Sequence, residues 1–269
     1  MSDNFEPDKI ITTLKRFLTN MMLRTGSNGY VIGLSGGIDS ALSATLAVEA
    51  VGADKVFGIL MPYKLSSDSS ITDAMELVEK FKIDYIKIDI SPMIDIYYDK
   101  IDDSNRLRAG NKMARERMSI LFDKAHEMNR LVLGTGNRTE ICLGYTTWYG
   151  DSACSVNPLG ELYKTEVRQL AKILGIPDSI ITKSPSADLW AGQTDEDEIG
   201  VSYEQIDNLL KELIDNRIFS LSELEKKGLN TYDISRVVSM INSNYFKRKL
   251  PEIAPLKRTP IPDNIQLEE

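Results

Sequence analysis

Residues 35–40, with the sequence SGGIDS, combine two glycines, two hydroxyls and a carboxylate in a spacing that suits a phosphate-binding loop. Gly36 and Gly37 would let backbone N–H groups approach an anion closely, and a helix after them would add the partial positive charge of its N-terminus. The hydroxyls of Ser35 and Ser40 could donate further hydrogen bonds. Such a loop can hold a pyrophosphate, although it lacks the lysine of the common G-x-x-x-x-G-K-[ST] motif.

Asp39 stands where that motif has its lysine, and a carboxylate beside phosphates has two interpretations. It is either a cap for the following helix, because Asp is favoured near helix N-termini, or an oxygen ligand of Mg²⁺. Magnesium usually binds through one or two carboxylates together with substrate phosphates, so a bridging cation would remove the repulsion. The spacing alone leaves both interpretations open.

The segment Gly33-Leu34-Ser35-Gly36-Gly37 also fits the G-x-S-x-G nucleophile elbow of hydrolases. That chemistry needs a histidine late in the chain. The single histidine, His126, falls in a predicted helix before the fourth strand. We therefore interpret the segment as an anion-binding loop.

Four short apolar segments predict the strands that position this loop, at residues 30–34, 55–60, 84–88 and 131–133. Helical patterns separate them, which is typical of parallel strands joined by right-handed crossovers. We predict an α/β fold, a doubly wound parallel sheet with helices on both faces and a helical C-terminal extension. Ligands of such sheets bind beyond the carboxyl ends of the strands, where residues 35–40 lie. The predicted helices span residues 8–24, 40–51, 69–81, 105–128, 165–174, 202–215, 221–226 and 231–246.

Two stretches, residues 62–68 and 184–200, show no regular pattern. The second is rich in Pro, Gly, Ser and Asp and is long for a connection in a compact domain. Leu189 and Trp190 within it favour a lid that closes over a ligand rather than a passive surface loop. We expect the acidic run at residues 195–198 to be solvated.

The composition excludes several classes of protein. The chain has 269 residues, and we predict a single domain over residues 1–269. Its net charge of −8 argues against broad nucleic-acid binding. No apolar run reaches the length of a membrane span, and two cysteines are too few for a disulfide framework. We expect a cytoplasmic protein without membrane or nucleic-acid partners.

In its strand and helix context, the S-G-G-x-D-S loop resembles the fingerprint of the N-type ATP pyrophosphatases, which cleave ATP between the α- and β-phosphates. Further segments resemble NAD synthetases, in the same order and over most of the chain. They are GNKMARERM (110–118), LGTGNRTEICLGY (133–145), YGDSACSVNPLGELYKTEVRQLAKILGIP (149–177), SPSADLWAGQTDEDEIGVSYEQID (184–207) and FKRKLPEI (246–253).

This resemblance implies the adenine nucleotide alpha hydrolase-like fold, a homodimer and a two-step reaction. The nicotinate carboxylate of deamido-NAD attacks the α-phosphorus of ATP, giving an NAD-adenylate and pyrophosphate, and ammonia then displaces AMP to form NAD. The synthetase pattern begins almost at the N-terminus, so we expect no N-terminal glutaminase domain and free ammonia as nitrogen donor. Two alternatives stay open: a superfamily member acting on another acid, and a nucleotide-binding module without turnover.

The resemblance also implies the ATP site. Asp39 and Glu140 would bind Mg²⁺ together, and Lys164 would be a catalytic contact to the phosphates. Without the resemblance, a Glu in a first helical turn usually stabilises the helix dipole, and a Lys is usually surface charge. The ATP-binding residues implied are Gly33, Leu34, Ser35, Gly36, Gly37, Ile38, Asp39, Ser40, Met61, Thr135, Lys164 and Ser186.

For deamido-NAD the resemblance implies contacts from Arg115, Trp148 and Lys247, and Asp151 as the catalytic residue that binds ammonium and accepts its proton. Lys247 would equally suit a helix C-terminus.

The chain departs from the family pattern at three positions. Many members have Lys at the position of Trp148, Asp at that of Ser155 and His at that of Phe246. We hypothesise that Trp148 stacks on the nicotinate ring instead of pairing with its carboxylate.

Overall fold

The sheet consists of four parallel strands in the places that the apolar segments predict. The structure, a computed structural model, describes residues 5–99, 105–186, 194–254 and 256. The strands are β1 (Tyr30–Gly33), β2 (Val56–Leu60), β3 (Asp84–Lys87) and β4 (Leu131–Val132). They lie in the order β3-β2-β1-β4, and each neighbouring pair is parallel. The predicted doubly wound sheet is therefore confirmed.

The predicted helices are all present. The 202–215 prediction splits into a helix and a π-helical turn at Lys211–Asp215, and the last predicted helix ends at Ser243, before a 3₁₀ turn at Tyr245–Arg248. The helices are α1 (Pro7–Thr25), α2 (Ile38–Val51), α3 (Asp68–Phe81), α4 (Ser91–Tyr98), α5 (Arg106–Glu127), α6 (Arg138–Leu143), α7 (Lys164–Ile173), α8 (Asp178–Thr182), α9 (Asp195–Ile199), α10 (Tyr203–Leu210), α11 (Leu221–Lys226) and α12 (Thr231–Ser243).

The bounds of α4, α6, α8 and α9 do not appear among the predicted helices. All four are short, so apolar periodicity has few turns in which to show, although the equally short α11 is predicted. α9 lies inside the stretch expected to lack regular structure, so that expectation is wrong for residues 195–199. Its first turn is closed by the Thr194 hydroxyl, which accepts a hydrogen bond from the Asp197 amide at 3.2 Å.

Successive strand residues face opposite sides of the sheet, which produces two hydrophobic cores. Tyr30 and Ile32 of β1 pack in the core formed with α1, α2, α3 and α7. Val31, between them, packs in the core formed with α4 and α5. Helices therefore cover both faces, and the carboxyl ends of the strands stay accessible at one edge.

A third hydrophobic cluster lies away from the sheet and joins α6 to the C-terminal helices. Its buried residues include Leu143 of α6, Ile206 of α10 and Val237 of α12. These helices form a second layer beside the strand ends. Among the described residues no helix is long and apolar enough to cross a membrane.

Candidate active site

The SGGIDS loop connects β1 to α2 at the carboxyl edge of the sheet. Gly36 has a φ of +75°, and a Cβ there would lie 2.2 Å from the backbone oxygen of Ser70. The loop can therefore pass α3 only if this residue is glycine. Gly37 is the N-cap of α2, so the helix N-terminus points into the loop as the sequence predicts.

The two loop serines bond within the loop. The Ser35 hydroxyl accepts a hydrogen bond from the Gly37 amide at 3.2 Å, and the Ser40 hydroxyl donates to the Gly37 carbonyl at 2.9 Å. The two hydroxyl oxygens are 3.1 Å apart. These bonds fix the conformation of the loop.

Asp39 lies in the first turn of α2, whose N-cap is Gly37, and its carboxylate bonds to residues of other segments. Its Oδ1 accepts a hydrogen bond from the Asn137 side chain at 2.9 Å, and its Oδ2 lies 2.5 Å from Nζ of Lys164. The same Nζ lies 3.4 Å from Oε1 of Glu140. Two carboxylates from different strand ends therefore converge on one cation.

Local capping places Glu140 and Lys164. Asn137 and Glu140 form a capping box at the start of α6, in which the Asn137 amide donates to Oε2 of Glu140 at 3.2 Å. Oε1 of Glu140 remains directed at the ammonium group. Lys164 is the first residue of α7 and is only 2% exposed. Its Nζ also lies 5.0 Å from the ring centre of Tyr203.

Burial and charge shape the protonation of this cluster. Burial raises the pKa of Glu140 well above its ordinary value, while the nearby Lys164 opposes that rise. Burial disfavours the charged form of Lys164, but Asp39 and Glu140 together hold its pKa above its ordinary value. The lysine therefore stays a cation, although it is almost inaccessible to water.

A cavity of about 570 Å³ opens over this cluster, beyond the carboxyl ends of the strands. Most of the sequence-predicted ATP residues line it, which brings together segments far apart in the chain. Gly36, Arg115 and Trp148 are absent from its walls. The predicted residues that line it are Gly33, Leu34, Ser35, Gly37, Ile38, Asp39, Ser40, Met61, Thr135, Glu140, Asp151, Lys164, Ser186 and Lys247.

Met61 is 7% exposed and forms part of the wall that continues from β2. Its backbone oxygen accepts a hydrogen bond from Nε of Arg117 at 3.0 Å. Arg117, which the sequence gives no reason to prefer over its neighbours, thus lines the cavity while Arg115 does not. Arg115 instead donates from Nε to the Trp148 backbone oxygen at 3.1 Å.

Trp148 lies in a second cavity of about 470 Å³ that shares Glu140, Asp151 and Lys247 with the first. Its ring stacks on Tyr149, with centroids 4.4 Å apart, and meets the Phe246 ring edge-on at 5.2 Å. Two of the three positions that depart from the family pattern, Trp148 and Phe246, are therefore in aromatic contact.

Asp151 and Lys247 are both engaged with the turn that follows α6. The Asp151 carboxylate accepts hydrogen bonds from the Thr146 hydroxyl at 2.6 Å and the Thr147 amide at 2.7 Å. Nζ of Lys247 donates to the backbone oxygens of Gly144 and Thr146, both at 2.8 Å. Both residues shape the wall between the two cavities.

The expectation that the acidic run is solvated is wrong for Asp195, which is 6% exposed. Its Oδ2 accepts a hydrogen bond from the Tyr203 hydroxyl at 3.1 Å, and it lines the main cavity. The Tyr145 hydroxyl donates to Oδ1 of Asp195 at 3.4 Å. A run of four acidic residues in the sequence does not reveal that two tyrosines bond to one of them. Leu189 and Trp190, the basis of the predicted lid, lie outside the described residues.

Comparison with known proteins identifies the family. A family model described as NAD synthase matches residues 10–251 of this chain. The NH(3)-dependent NAD(+) synthetase of Trichlorobacter lovleyi is 47% identical over 238 residues, which cover 88% of this chain and 87% of that protein. The chain belongs to the NAD synthase family.

Solved structures of NAD synthase relatives share the fold. The NH3-dependent NAD synthetase of Campylobacter jejuni, solved with nitrate, matches with a TM-score of 0.80 at 35% identity, over 93% of this chain and 99% of that chain. The NMN synthetase of Francisella tularensis matches with a TM-score of 0.81 at 35% identity and the same coverage. The sheet and the C-terminal helical layer are therefore features of NAD synthase structures.

The donor set fits a divalent cation bound together with a nucleotide. The two carboxylates already share one cation in this chain, since Asp39 and Glu140 both contact Nζ of Lys164. Within the described part of the chain, no cluster of three or more acidic, His or Cys side chains could hold a metal by itself. Two carboxylates completed by phosphate and water oxygens are the usual environment of Mg²⁺.

Proposed function

We propose that this protein is an ammonia-dependent NAD synthetase that amidates deamido-NAD with ATP. The convergence of Asp39, Glu140 and Lys164 beyond β1 and β4 carries the proposal, together with the matches to NH(3)-dependent NAD(+) synthetases along most of the chain. The nicotinate carboxylate attacks the α-phosphorus of ATP and pyrophosphate leaves. Ammonia then attacks the activated carbonyl carbon, loses a proton, and AMP leaves.

The first step needs charge neutralisation and in-line positioning, since a nicotinate carboxylate is already ionised at neutral pH. The backbone amides of the SGGIDS loop and the ammonium group of Lys164 would stabilise the negative charge on the phosphates. Asp39 and Glu140 would hold Mg²⁺, which supplies Lewis-acid neutralisation of phosphate oxygens when bound. The walls formed by Met61, the residues after β4 and Ser186 would hold the rest of the nucleotide.

In the second step the wall shared by the two cavities would hold deamido-NAD and ammonia. The dinucleotide would be contacted, directly or through the turn after α6, by Arg115, Trp148 and Lys247. Asp151 would bind ammonium and accept its proton, since a carboxylate keeps acceptor capacity beyond the two hydrogen bonds that it receives here.

We also propose that the protein pairs with a second copy. α4 exposes Met93, Ile96 and Tyr97, which are 42%, 62% and 43% exposed and lie on one face of the helix. Contiguous exposed apolar side chains of this kind mark association surfaces. Light scattering of the purified protein should give twice the chain mass, and a monomer at all concentrations would contradict the dimer.

The function is tested by incubating purified protein with ATP, Mg²⁺, ammonium and deamido-NAD and measuring NAD and AMP. We expect both in equal amounts with ammonium and little product with glutamine. A parallel reaction with nicotinate mononucleotide is needed because one solved relative carries the name NMN synthetase. Faster amidation of the mononucleotide would identify it as the preferred substrate. The absence of AMP with either acid would contradict the proposal.

A further inference from the structure

No residue of α10 is among the predicted ATP contacts. Tyr203, the first residue of this helix, nevertheless packs against the ammonium group of Lys164. Tyr203 and Asp207 are four residues apart on this helix and therefore share one face. They are 0% and 1% exposed. Tyr203 places its ring centre 5.0 Å from Nζ of Lys164.

Asp207 connects the two chain segments that carry Glu140 and Lys164. Its Oδ1 accepts a hydrogen bond from the Thr139 hydroxyl at 2.5 Å, and its Oδ2 accepts one from the Thr165 amide at 2.8 Å. The Thr139 hydroxyl in turn accepts a hydrogen bond from the Lys164 amide at 3.0 Å. Thr139 directly precedes Glu140, so one buried carboxylate ties the first turn of α6 to the first turn of α7.

We propose that Tyr203 and Asp207 are positioning residues that hold the Lys164 ammonium group between Asp39 and Glu140. The second helical layer thereby sets the geometry of the ATP site. This inference rests on the proposed function for its kinetic consequence. A buried network in which the carboxylate and the hydroxyl are both hydrogen-bonded rigidifies the groups attached to it. A displacement of about 1 Å at a reacting group is enough to slow chemistry by about 100-fold.

Two substitutions of Thr139 separate the hydroxyl from the shape of the side chain. Thr139→Val keeps the shape and removes both hydrogen bonds, whereas Thr139→Ser keeps the hydroxyl. Asp207→Asn tests the carboxylate itself. Asp233→Asn is the matched control, because the Asp233 carboxylate also bonds to α10, accepting a hydrogen bond from the Gln205 side chain at 3.2 Å, but does so from α12.

We expect Thr139→Val and Asp207→Asn to lower kcat for NAD formation by about tenfold or more while KM for ATP changes by less than about threefold, since the loop and the cavity walls still bind the ground state. Thr139→Ser and Asp233→Asn should keep kcat within about twofold of the wild type. Circular dichroism confirms that each variant is folded at the assay temperature. If Asp207→Asn does not fold, the two Thr139 variants decide.

The inference is overturned if Thr139→Val retains wild-type kcat, or if Thr139→Ser loses as much activity as Thr139→Val. A wild-type protein that makes no NAD would instead refute the proposed function. Crystal structures of wild type and Thr139→Val then test the positioning role alone. Movement of Nζ of Lys164 away from Asp39 and Glu140 supports that role, and an unchanged position overturns it.

Discussion

Replacing Lys164 by Met should destabilise the protein much more than removing an ordinary surface lysine. Lys164 is 2% exposed, and its Nζ lies 2.5 Å from Asp39 and 3.4 Å from Glu140, whose side chains are 18% and 19% exposed. Removing one member of a buried ion pair costs about 3 to 5 kcal/mol, because the remaining charge has no partner. Both carboxylates keep some contact with water, so we take the lower value, about 3 kcal/mol.

The matched control is Lys15→Met, which removes a lysine from an exposed ion pair. Nζ of Lys15 lies 3.0 Å from Glu49, and the two side chains are 35% and 46% exposed. Such pairs contribute about 0.5 kcal/mol. For a chain of this size 1 kcal/mol corresponds to about 2 °C in Tm. We therefore expect a decrease of about 6 °C for Lys164→Met and about 1 °C for Lys15→Met.

Differential scanning calorimetry in EDTA, without nucleotide, measures both variants under conditions where no divalent cation replaces the lysine. If Lys164→Met melts within about 2 °C of Lys15→Met, the ammonium group does not neutralise the two carboxylates in solution. The reasoning about the cluster would then be wrong, whatever the effect of the substitution on activity.

Three further results are expected. Mg²⁺ without ATP should raise the Tm of Lys164→Met more than that of the wild type, because the ammonium group no longer competes for the carboxylates; an equal rise in calorimetry would contradict this. Gly36→Ala should destabilise by about 3 kcal/mol in urea unfolding, and Gly228→Ala by only about 1 kcal/mol, because both have positive φ but only Gly36 lacks room for a Cβ. Burial raises the pKa of the thiols of Cys142 and Cys154, so fewer thiolates form at a given pH. Native protein should therefore react with iodoacetamide more slowly than unfolded protein at about pH 8. Equal rates would refute this expectation.

The strands and the loop could be predicted because their signals are local. β1 and the SGGIDS loop fall within eleven consecutive residues, 30–40. The apolar run and the glycines that follow it can be recognised there without knowing which other segments they contact. The same applies to the long amphipathic helices, whereas α9 is too short for its pattern to show. Glu140 is indicated by its place in a motif, and its capping box with Asn137 follows the N-x-x-E spacing, which is also a local signal.

Other features could not be inferred from sequence because they depend on contacts between distant segments. Asp195 lies in a run of acidic letters typical of a solvated surface, yet Tyr203 covers it. The sequence also does not show that Arg117 lines the main cavity, whereas the deamido-NAD contact of Arg115 stays a prediction. Packing against β1 and β4 decides which side of α5 faces the strand ends. The spacing of the arginines on α5 does not determine that side.

By itself, the sequence determined the order of strands and helices, the glycine-rich anion loop and, through its motifs, the family. Only the tertiary structure decided which cation faces which carboxylate: Asp39 and Lys164 are 125 positions apart, and Thr139 and Asp207 are 68 apart. Periodicity and turn chemistry act over a few residues, so they are written in the local sequence. The pairing of buried charges depends on how whole layers pack, because only the folded core removes the water that would otherwise solvate each group separately.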